Sequence, residues 1–471
     1  MSEVFQDFLI PTLNQIRHSI CGIDDSYNNF WDILAELIQN AVDAINRTDP
    51  AVQGKIYLHI DCIQKEISIR DNGCGIAPEK LVTFLRPFST DKLDDENQIG
   101  EKGVGLKFAY FQSTYFKIHT GNASGSAQAE IRDARLWKLQ TNQECLAVSY
   151  ERYSEPFCGT EIVLRGIENE QLFSLSISQM KHILRTKTAA GNTSVIWRDI
   201  SPIKITLEMT DYNGNHTEED IQYKYSLPTD TLSVRDQISL DDFEEWLRGG
   251  DRTDLEKRTK LRDKVITAKG SYLHNGYREI RYWACFVPSR SIWDQLCIKE
   301  GLATDSLLSN EEWLNEKIFV LHRPGIYTAV KGMPTGITVE HPSAGYSGYW
   351  SNIFIIFEDD RLSFDIGRKS IHGLTANIYK GYAKEIFNRF LQYIVKYVSG
   401  SVEPYSAEWN KEGLIDEIKS LPDLGCSVVK FGKNPKDQEA SVAAIFYELI
   451  GAGYISDVEP LISGYRNKYD L

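Results

Sequence analysis

One helical segment, residues 28–46, constrains the fold of this chain more than any other stretch. Its sequence, NNFWDILAELIQNAVDAIN, repeats apolar residues at helical spacing over an arc wide enough to imply burial. Glu36, Asn40 and Asp43 interrupt the pattern at i, i+4 and i+7 and so lie within about 60° of one another on one stripe. Burying two acids and an amide costs free energy unless each has a partner. The helix alone therefore indicates either an internal polar network or a site.

Two short alternating segments follow the helix and end at a glycine-rich turn. The segments KIYLHID and EISIRD have the period of strands, and DNGCGI, residues 71–76, overlaps the end of the second one. Gly73 and Gly75 allow the backbone to approach another group closely, and Asp71 closes the strand beside them. Because Asp-Asn-Gly is also an ordinary turn sequence, the turn by itself leaves a binding role and a plain reversal both open.

Two further glycine-containing segments complete a set of four. The segment IGEKGVGLK, residues 99–107, places glycines around Lys102 at the end of a polar loop and before an apolar helix. Backbone amides at such a helix start suit a phosphate group, although a lone glycine loop is weak evidence. The segment CGTEIVL sets Gly159 and Thr160 at the head of a strand. The pattern GxxxxGK[ST] is absent from the sequence, which excludes a P-loop protein.

Composition narrows the classes of protein further. A length of 471 residues predicts two or three domains. The N-terminus lacks the basic region of a signal peptide, and no apolar run reaches the roughly 18 to 20 residues that span a bilayer, so we expect a cytoplasmic protein without membrane contact. Eight scattered cysteines without a CxxC pair argue against a zinc ribbon or a disulfide framework.

The net charge of -14 disfavours a protein that coats nucleic acid through its whole surface, but it is compatible with a local basic groove that binds nucleic acid.

Taken in order, the acid-bearing helix, the Asp-x-Gly-x-Gly turn, the glycine loop and the Gly-Thr strand form a pattern much more specific than any one of them. This pattern resembles the GHKL superfamily of ATPases, which includes gyrase B, the MutL proteins, the ninety-kilodalton heat-shock chaperone, histidine kinases and the MORC proteins. The segment ELIQNAVDAI matches the first motif of that superfamily, DNGCGI and GEKGVGLK match the second and third, and GTEIVL matches the fourth. The resemblance covers about residues 1–190, and no dimerisation hairpin with a phospho-accepting histidine precedes the motifs.

The resemblance implies an α/β two-layer sandwich of the Bergerat ATP-binding type and gives roles to the motif residues. Glu36 is the implied general base for the attacking water, and Asn40 the implied ligand of Mg²⁺. Asp71 is the implied acceptor for the adenine amino group, with Gly75 and Thr160 in the same pocket. The loop at 89–107 is the implied lid over the phosphates. The residues expected to bind ATP are Asn40, Asp43, Asp71, Gly73, Gly75, Ile76, Lys92, Gly100, Lys102, Gly103, Val104, Gly105, Leu106, Lys107 and Thr160.

The rest of the chain predicts a second domain at 191–400 and a small C-terminal α/β or helical appendage at 401–471. Hairpin signals become frequent after residue 190, and Asn213-Gly214 is a strong two-residue turn. The residue pattern also predicts a helix at 171–189 that closes the first domain, a strand at 317–322, and a long amphipathic helix at 375–398. The resemblance implies that the second domain is a transducer of the ribosomal-protein-S5-like α/β type.

The transducers of MORC-like and chaperone-like members insert a basic residue at the γ-phosphate. In this chain DDRLSFDIGRKSIHG offers Arg368 and Lys369 on a loop that a glycine precedes, and such cations would stabilise the transferring phosphate. A solvated basic turn is about equally consistent with the segment. Lys369 is the favoured catalytic residue with Arg368 beside it, and Lys331 of KGMPTGI is the reserve.

These expectations combine into a Mg²⁺-dependent ATPase that acts as an ATP-gated homodimeric clamp or switch on a DNA or protein client. ATP would close the lid and drive N-terminal dimerisation, with about the first twenty residues either reaching the partner as a strap or packing on their own domain. The alternative function is a nucleotide-sensing module with negligible turnover that controls a partner effector such as a nuclease. By analogy alone, a prokaryotic protein of this type would suit antiviral defence.

Overall fold

A computed structural model of the chain describes residues 11–27, 29–87, 105–342, 349–362, 371 and 373–397. Their strands form two sheets, one of eight strands and one of six. No helix in these ranges combines the length and the apolar character that crossing a membrane requires.

The first sheet runs in the order β5-β4-β3-β6-β2-β1-β7-β8, and only its β1 and β7 pair in parallel. Residues along β1 alternate between exposed and buried, because the sheet has one face toward its helices and one toward solvent. Its strands are β1 Lys55–Asp61, β2 Glu66–Asp71, β3 Tyr115–Asn122, β4 Gly125–Arg132, β5 Val148–Tyr153, β6 Gly159–Arg165, β7 Lys204–Thr210 and β8 His216–Ile221.

Seven helices accompany the first sheet in the described chain. Helix α2 carries the apolar pattern of the sequence, packs on β2 and contacts α4, and nearly all of its residues are buried. The helices are α1 Leu13–Asp24, α2 Asp32–Asn46, α3 Leu81–Leu85, α4 Gly105–Phe111, α5 Ala134–Trp137, α6 Glu170–Phe173 and α7 Ile177–Lys187. Helix packing on one face of the sheet confirms the predicted two-layer α/β sandwich.

The second sheet runs in the order β13-β12-β14-β11-β10-β9. Its strands are β9 Gln237–Ser239, β10 Val265–His274, β11 Arg278–Phe286, β12 Gly325–Val330, β13 Met333–Val339 and β14 Ile353–Glu358. Its helices are α8 Leu240–Arg248, α9 Asp254–Leu261, α10 Arg290–Lys299, α11 Asp305–Leu308, α12 Glu311–Lys317 and α13 Gly373–Tyr397. Strand β14 is buried throughout, and α13 packs against it and β13. The assignment of this α/β unit as a transducer stays a prediction.

The two sheets share a continuous packed boundary. Helix α7 lies against β13, and apolar residues of both parts belong to one hydrophobic cluster. Glu358, at the end of β14, is fully buried and accepts hydrogen bonds from the hydroxyls of Thr193 (2.5 Å) and Ser194 (2.7 Å). Arg281 Nη1 donates to the same carboxylate over 2.6 Å. The buried charge therefore has partners from the connection after α7 as well as from the second sheet.

Several sequence expectations need correction. The predicted boundary at residue 190 does not coincide with the end of the first sheet, because β7 and β8, with the Asn213-Gly214 turn between them, extend that sheet to Ile221. The single helix predicted over 171–189 is two helices, since Ser176 caps a new start through the backbone N–H of Gln179. The strand predicted at 317–322 instead contains the end of α12 and a 3₁₀ turn. The appendage at 401–471 lies outside the described residues.

Helix α1 packs on its own sandwich. A capping box of Thr12 and Gln15 begins the helix, and Ile20 enters the core of the first sheet. Arg17 lies over the ring of Trp137, and Asp24 pairs with Lys138. Residues 13–24 therefore agree with the second of the two alternatives, a helix that packs on its own domain, and not with a strap that reaches a partner. The first ten residues, where a strap would begin, lie outside the described ranges.

Candidate functional site

A pocket of about 580 Å³ lies between α2 and the sheet, beside the DNGCGI turn. Helix α2 provides one wall, and β2, β3 and β6 provide the opposite one. The lining residues are Leu37, Asn40, Ala41, Ala44, Arg47, Ile69, Asp71, Gly75, Ile76, Phe84, Leu106, Ile118, Thr160 and Ile162. Most of them are apolar, with a few polar groups at fixed positions, as is usual for a site that binds a small organic ligand.

Asp71 is the buried acid of this pocket. It ends β2, and 8% of its surface is exposed. Its Oδ1 accepts the backbone N–H of Gly73 over 2.8 Å, which is the hydrogen bond of an Asx turn. Burial raises the pKa of the Asp71 carboxyl to about 7, partly offset by the backbone N–H groups of Gly73 and Thr160. Asp71 thus both turns the chain and presents a carboxyl group to the pocket.

Glycines permit the close backbone packing around Asp71. Gly75 has a φ of 62°, and a Cβ atom there would overlap the carbonyl oxygen of Gly121 on β3. Gly159 has a φ of 116°, and a Cβ atom there would overlap the carbonyl oxygen of Asp71. A Cβ at Gly73 would lie 2.6 Å from Ala44 of α2. Only glycine satisfies both the backbone angle and the space at Gly75 and Gly159.

A pair of threonines connects the turn to the strands behind it. Thr160 Oγ1 lies 2.9 Å from Thr120 Oγ1. Thr120 accepts the backbone N–H of Ile76 at 2.9 Å and donates to the carbonyl of Gly159 at 3.0 Å. These hydrogen bonds fix the position of Thr160 at the pocket wall, next to Asp71 in the strand register.

Glu36 lies beyond the pocket lining, where three segments meet. Its side chain is largely buried on α2, and the Tyr27 hydroxyl donates to its Oε1 over 3.2 Å. The Tyr27 ring stacks on Phe108 of α4 with centroids 3.9 Å apart. A Cβ atom at Gly105 would overlap the Glu36 carboxylate, so this carboxylate lies directly against the start of α4. Glu36 is therefore oriented by both of the segments that flank it.

The two remaining predicted residues of α4 have different environments. Leu106 lines the pocket and belongs to the core. The Lys107 side chain is buried, and its Nζ lies 4.6 Å from the ring centroid of Phe84. Phe84 lines the same pocket, so Lys107 reaches the back of one pocket wall. Its predicted contact with phosphates stays a prediction.

Asp43 is buried but is not among the residues that line the pocket. Its negative charge helps to raise the pKa of Tyr223, a phenol that burial shifts to about 12. The geometry of α2 explains the position: at about 100° per residue, Asn40, Ala44 and Arg47 lie on the side that faces the pocket, and Asp43 lies on the other side of Glu36. The structure thus brings Asn40 to the pocket and leaves Asp43 behind it.

Several predicted residues lie outside the described ranges. They are Lys92, Gly100, Lys102, Gly103 and Val104 of the expected lid, and Arg368 and Lys369 of the expected transducer loop. The reserve residue Lys331 is described, with a φ of 49° in the turn between β12 and β13. Its neighbour Gly332 accepts the backbone N–H of Thr193, so this turn is fixed to the connection after α7.

The structure adds site residues that sequence reasoning missed. Arg47 lines the pocket and its charge lowers the pKa of Asp71, in opposition to burial. Arg47 lies two helical turns after Asn40, so helical spacing places both residues on the face of α2 that lines the pocket. Tyr27 and Thr120 act through hydrogen bonds to other site residues, and no pattern in the sequence marked either one.

Comparisons with known proteins agree with this geometry. Residues 27–153 match the family described as histidine kinase-, DNA gyrase B-, and HSP90-like ATPase. The match covers α2 and strands β1 to β5 and ends before β6, which carries Thr160.

Curated relatives match about a third of this chain. An endoplasmin homolog of Arabidopsis thaliana is 29% identical over 187 residues, which is 35% of this chain and 22% of the relative. The chaperone protein HtpG of Vesicomyosocius okutanii is 28% identical over 193 residues, 36% of this chain and 29% of the relative. HtpG of Helicobacter acinonychis is 30% identical over 166 residues, 30% of this chain and 25% of the relative.

The chain thus spans less than a third of the length of these relatives. The family model and the pocket between α2 and the DNGCGI turn both concern the first sheet. The family match over residues 27–153, together with the endoplasmin and HtpG relatives, supports a GHKL superfamily ATPase domain in this chain.

Proposed function

We propose that the chain binds ATP in the pocket beside Asp71 and hydrolyses it in a Mg²⁺-dependent reaction. The observation that carries the proposal is the buried Asp71 carboxyl, in a pocket with apolar walls and glycines that leave the backbone accessible. A carboxylate at that position accepts a hydrogen bond from an exocyclic amino group. Leu106, Ile118 and Ile162 supply flat apolar contact for a purine ring.

Binding and hydrolysis use different residues in this proposal. Asp71, Gly75 and Thr160 hold the base, and Asn40 at the pocket wall offers an amide oxygen to Mg²⁺, which would neutralise phosphate charge when bound. Glu36 takes a proton from water as the water oxygen attacks the γ-phosphorus and the bond to the β–γ bridging oxygen breaks, leaving ADP and phosphate. The Tyr27 hydroxyl at 3.2 Å orients the Glu36 carboxylate for this step.

The phosphate end of the site is proposed in outline. Residues 89–107 would close over the triphosphate as a lid, with Gly100, Lys102, Gly103 and Lys107 at the phosphates. Lys369, with Arg368 beside it, would reach the γ-phosphate from the second sheet's domain as a transducer residue. Lys331 is the reserve for that role.

At the level of the whole protein, we extend the proposal to an ATP-gated homodimeric clamp or switch. The relatives are chaperones by name, which favours a protein client over DNA. The alternative form is a nucleotide sensor with negligible turnover that controls a partner effector such as a nuclease, in cytoplasmic antiviral defence. A slow or absent basal rate in the wild type would favour this alternative.

The experiment is a joint measurement of phosphate release and molecular mass, with and without ATP and with duplex DNA or an unfolded protein added. The clamp proposal predicts turnover, a doubled mass with ATP, and stimulation by the protein client. Turnover that stays absent under all conditions, while ATP still binds, would replace the enzyme with the sensor. Stimulation by DNA that weakens as salt rises would replace the protein client with DNA.

A further inference from the structure

A second cluster of chemically active side chains lies at the boundary between the two sheets. His182 is on α7, Glu300 is the C-cap residue after α10, and His322 precedes β12. The three offer ligand atoms within 4.8 Å of one another. None of them lines the pocket beside Asp71. The cluster therefore does not belong to the proposed ATP site.

The backbone around this cluster holds the three residues together. Gln179 Nε2, one turn before His182 on α7, donates to the carbonyl of Leu302 over 2.9 Å. Gly301 follows Glu300 with a φ of 70°, and a Cβ atom there would lie 3.0 Å from Ser178 Oγ on α7. The end of α10 is thus packed directly on the first turn of α7, and the chain needs glycine to make that approach.

The two histidines are buried and meet one carboxylate. His182 and His322 are 5% and 3% exposed, and their rings make an edge contact with centroids 4.7 Å apart. His322 Nε2 lies 2.9 Å from Glu300 Oε1, which is a hydrogen bond. His182 Nδ1 is 3.9 Å from Glu300 Oε2, and it has no hydrogen-bond partner among the described residues. A buried imidazole nitrogen without a partner costs free energy, which a bound water molecule or metal ion would recover.

We propose that His182, Glu300 and His322 bind a single Zn²⁺ ion that joins α7 of the first sheet to the α10–β12 segment of the second. Two imidazoles and one carboxylate are an established zinc ligand set, completed by a water molecule. Ligand atoms around tetrahedral zinc lie about 3.3 Å apart at bonds of about 2.0 Å, so the cluster needs to contract by about 1 to 1.5 Å at its widest. Binding of the ion would have to draw the three side chains together by that amount.

The existing contacts leave a place for the ion. Zn²⁺ would replace the hydrogen bond between His322 and Glu300 and occupy the unpartnered nitrogen of His182, releasing any proton that these groups hold.

Cys297 is close to the cluster but is not one of the ligands. Its thiol donates to the backbone carbonyl of His322 at 3.8 Å, and among the described residues here the ligand atoms that lie within 4.8 Å of one another come only from His182, Glu300 and His322. The geometry thus assigns the fourth position to water.

The test uses untagged full-length protein stripped with a chelator and titrated with Co²⁺ and Zn²⁺. We expect one Co²⁺ per chain with the visible absorption of a tetrahedral N/O site, displacement of Co²⁺ by Zn²⁺, and a thermal midpoint that rises by several degrees with Zn²⁺. Glu300→Gln and His322→Gln, which keep side-chain volume, should weaken binding at least about tenfold.

The matched control is His216→Ala. His216 forms a comparable histidine–carboxylate pair with Glu208 over 3.4 Å, but on the exposed edge strand β8. The control should bind Co²⁺ as the wild type does. The proposal is overturned if the wild type takes up neither ion, or if Glu300→Gln retains the absorption. If a variant fails to fold, the stoichiometry and the Zn²⁺-dependent midpoint of the wild type decide the question.

Discussion

The two ends of the candidate ATP site are built in different ways. The base end, around Asp71, is made of strand backbones that only glycine allows to come so close, and the threonine pair fixes it from behind. At the proposed hydrolytic end three segments meet: Tyr27 before α2, Glu36 on α2 and Gly105 on α4. The comparison teaches that, under the proposed function, ATP recognition would rest on a fixed sheet, whereas hydrolysis would rest on contacts of individual residues.

The largest effect is expected from Glu36. Replacing it with alanine removes the proposed general base, so phosphate release should fall by about 10² to 10⁴-fold. The dissociation constant for ATP should change by less than about threefold, because the base end is untouched. Steady-state phosphate release and equilibrium binding check both parts, and Glu36→Gln, which keeps the hydrogen bond from Tyr27, separates loss of the base from loss of packing.

At the base end, Gly75→Ala tests the fixed backbone. We expect a loss of about 2–4 kcal/mol in the free energy of unfolding, since alanine would adopt a left-handed angle and overlap the Gly121 carbonyl. Chemical denaturation measures this free energy of unfolding. The control is Gly276→Ala, where φ is 79° but nothing lies within 4 Å of the new Cβ, so about 1 kcal/mol should be lost. Equal losses of unfolding free energy in the two variants would show that the close approach of Gly75 to the Gly121 carbonyl contributes nothing to the cost of the substitution.

Asp71→Asn tests recognition itself. The amide keeps the size of the side chain, and its oxygen can still accept the N–H of Gly73, but its Nδ2 is a donor where the carboxylate has its second acceptor oxygen. We expect ATP affinity to fall by about 100-fold, measured by calorimetry. Asp220→Asn, on exposed β8, is the control and should bind normally. Unchanged affinity in Asp71→Asn would remove Asp71 from the base site.

Asp71→Asn also tests how the free energy of unfolding depends on pH. The pKa of Asp71 is about 7 in the folded chain and about 4 in an unfolded one, so between these pH values the folded protein holds a proton that the unfolded chain lacks. The contribution of Asp71 to the free energy of unfolding therefore falls as pH rises from about 4 to 7. Asp71→Asn cannot ionise and should gain on the order of 2 kcal/mol over the wild type at pH 8, but little at pH 4. Denaturation at both pH values, without ATP, measures the difference.

The smallest effect is expected from Tyr27→Phe. It removes one hydrogen bond to Glu36 and keeps the stacking on Phe108, so the turnover number should fall by about three- to tenfold with affinity unchanged. Tyr153→Phe, which breaks an exposed tyrosine–glutamate pair of 2.6 Å, should leave turnover unaltered. A rate loss in both variants would point to a general effect on the domain.

The sequence placed the turn beside the pocket correctly because that turn depends on local backbone chemistry. Asp71, Gly73 and Gly75 are neighbours in the chain, and their turn is encoded where it forms. Thr160 came from the family pattern, and its place beside Asp71 follows from the pairing of β2 with β6. Arg47 and Asp43 show what helical spacing cannot predict. The spacing places the polar residues of α2 on one stripe, but it does not tell which edge of that stripe faces the pocket.

The sequence predicted the larger organisation less well. The hairpin around Asn213-Gly214 was correctly suggested by its turn, but its partner is β1, about 150 residues earlier, and turn chemistry carries no information about such a long-range pairing. The pairing of His182 with Glu300 and His322 was equally hidden, since the three residues come from separate elements. Tertiary packing, not local pattern, determines both features.

The most direct test of a separable base end and hydrolytic end is to measure bound ATP and released phosphate in the same sample for Asp71→Asn and Glu36→Ala. We predict that Glu36→Ala is occupied by unhydrolysed ATP and that Asp71→Asn, at the same ATP concentration, is largely empty. An empty Glu36→Ala site, or normal phosphate release from it, would contradict the account.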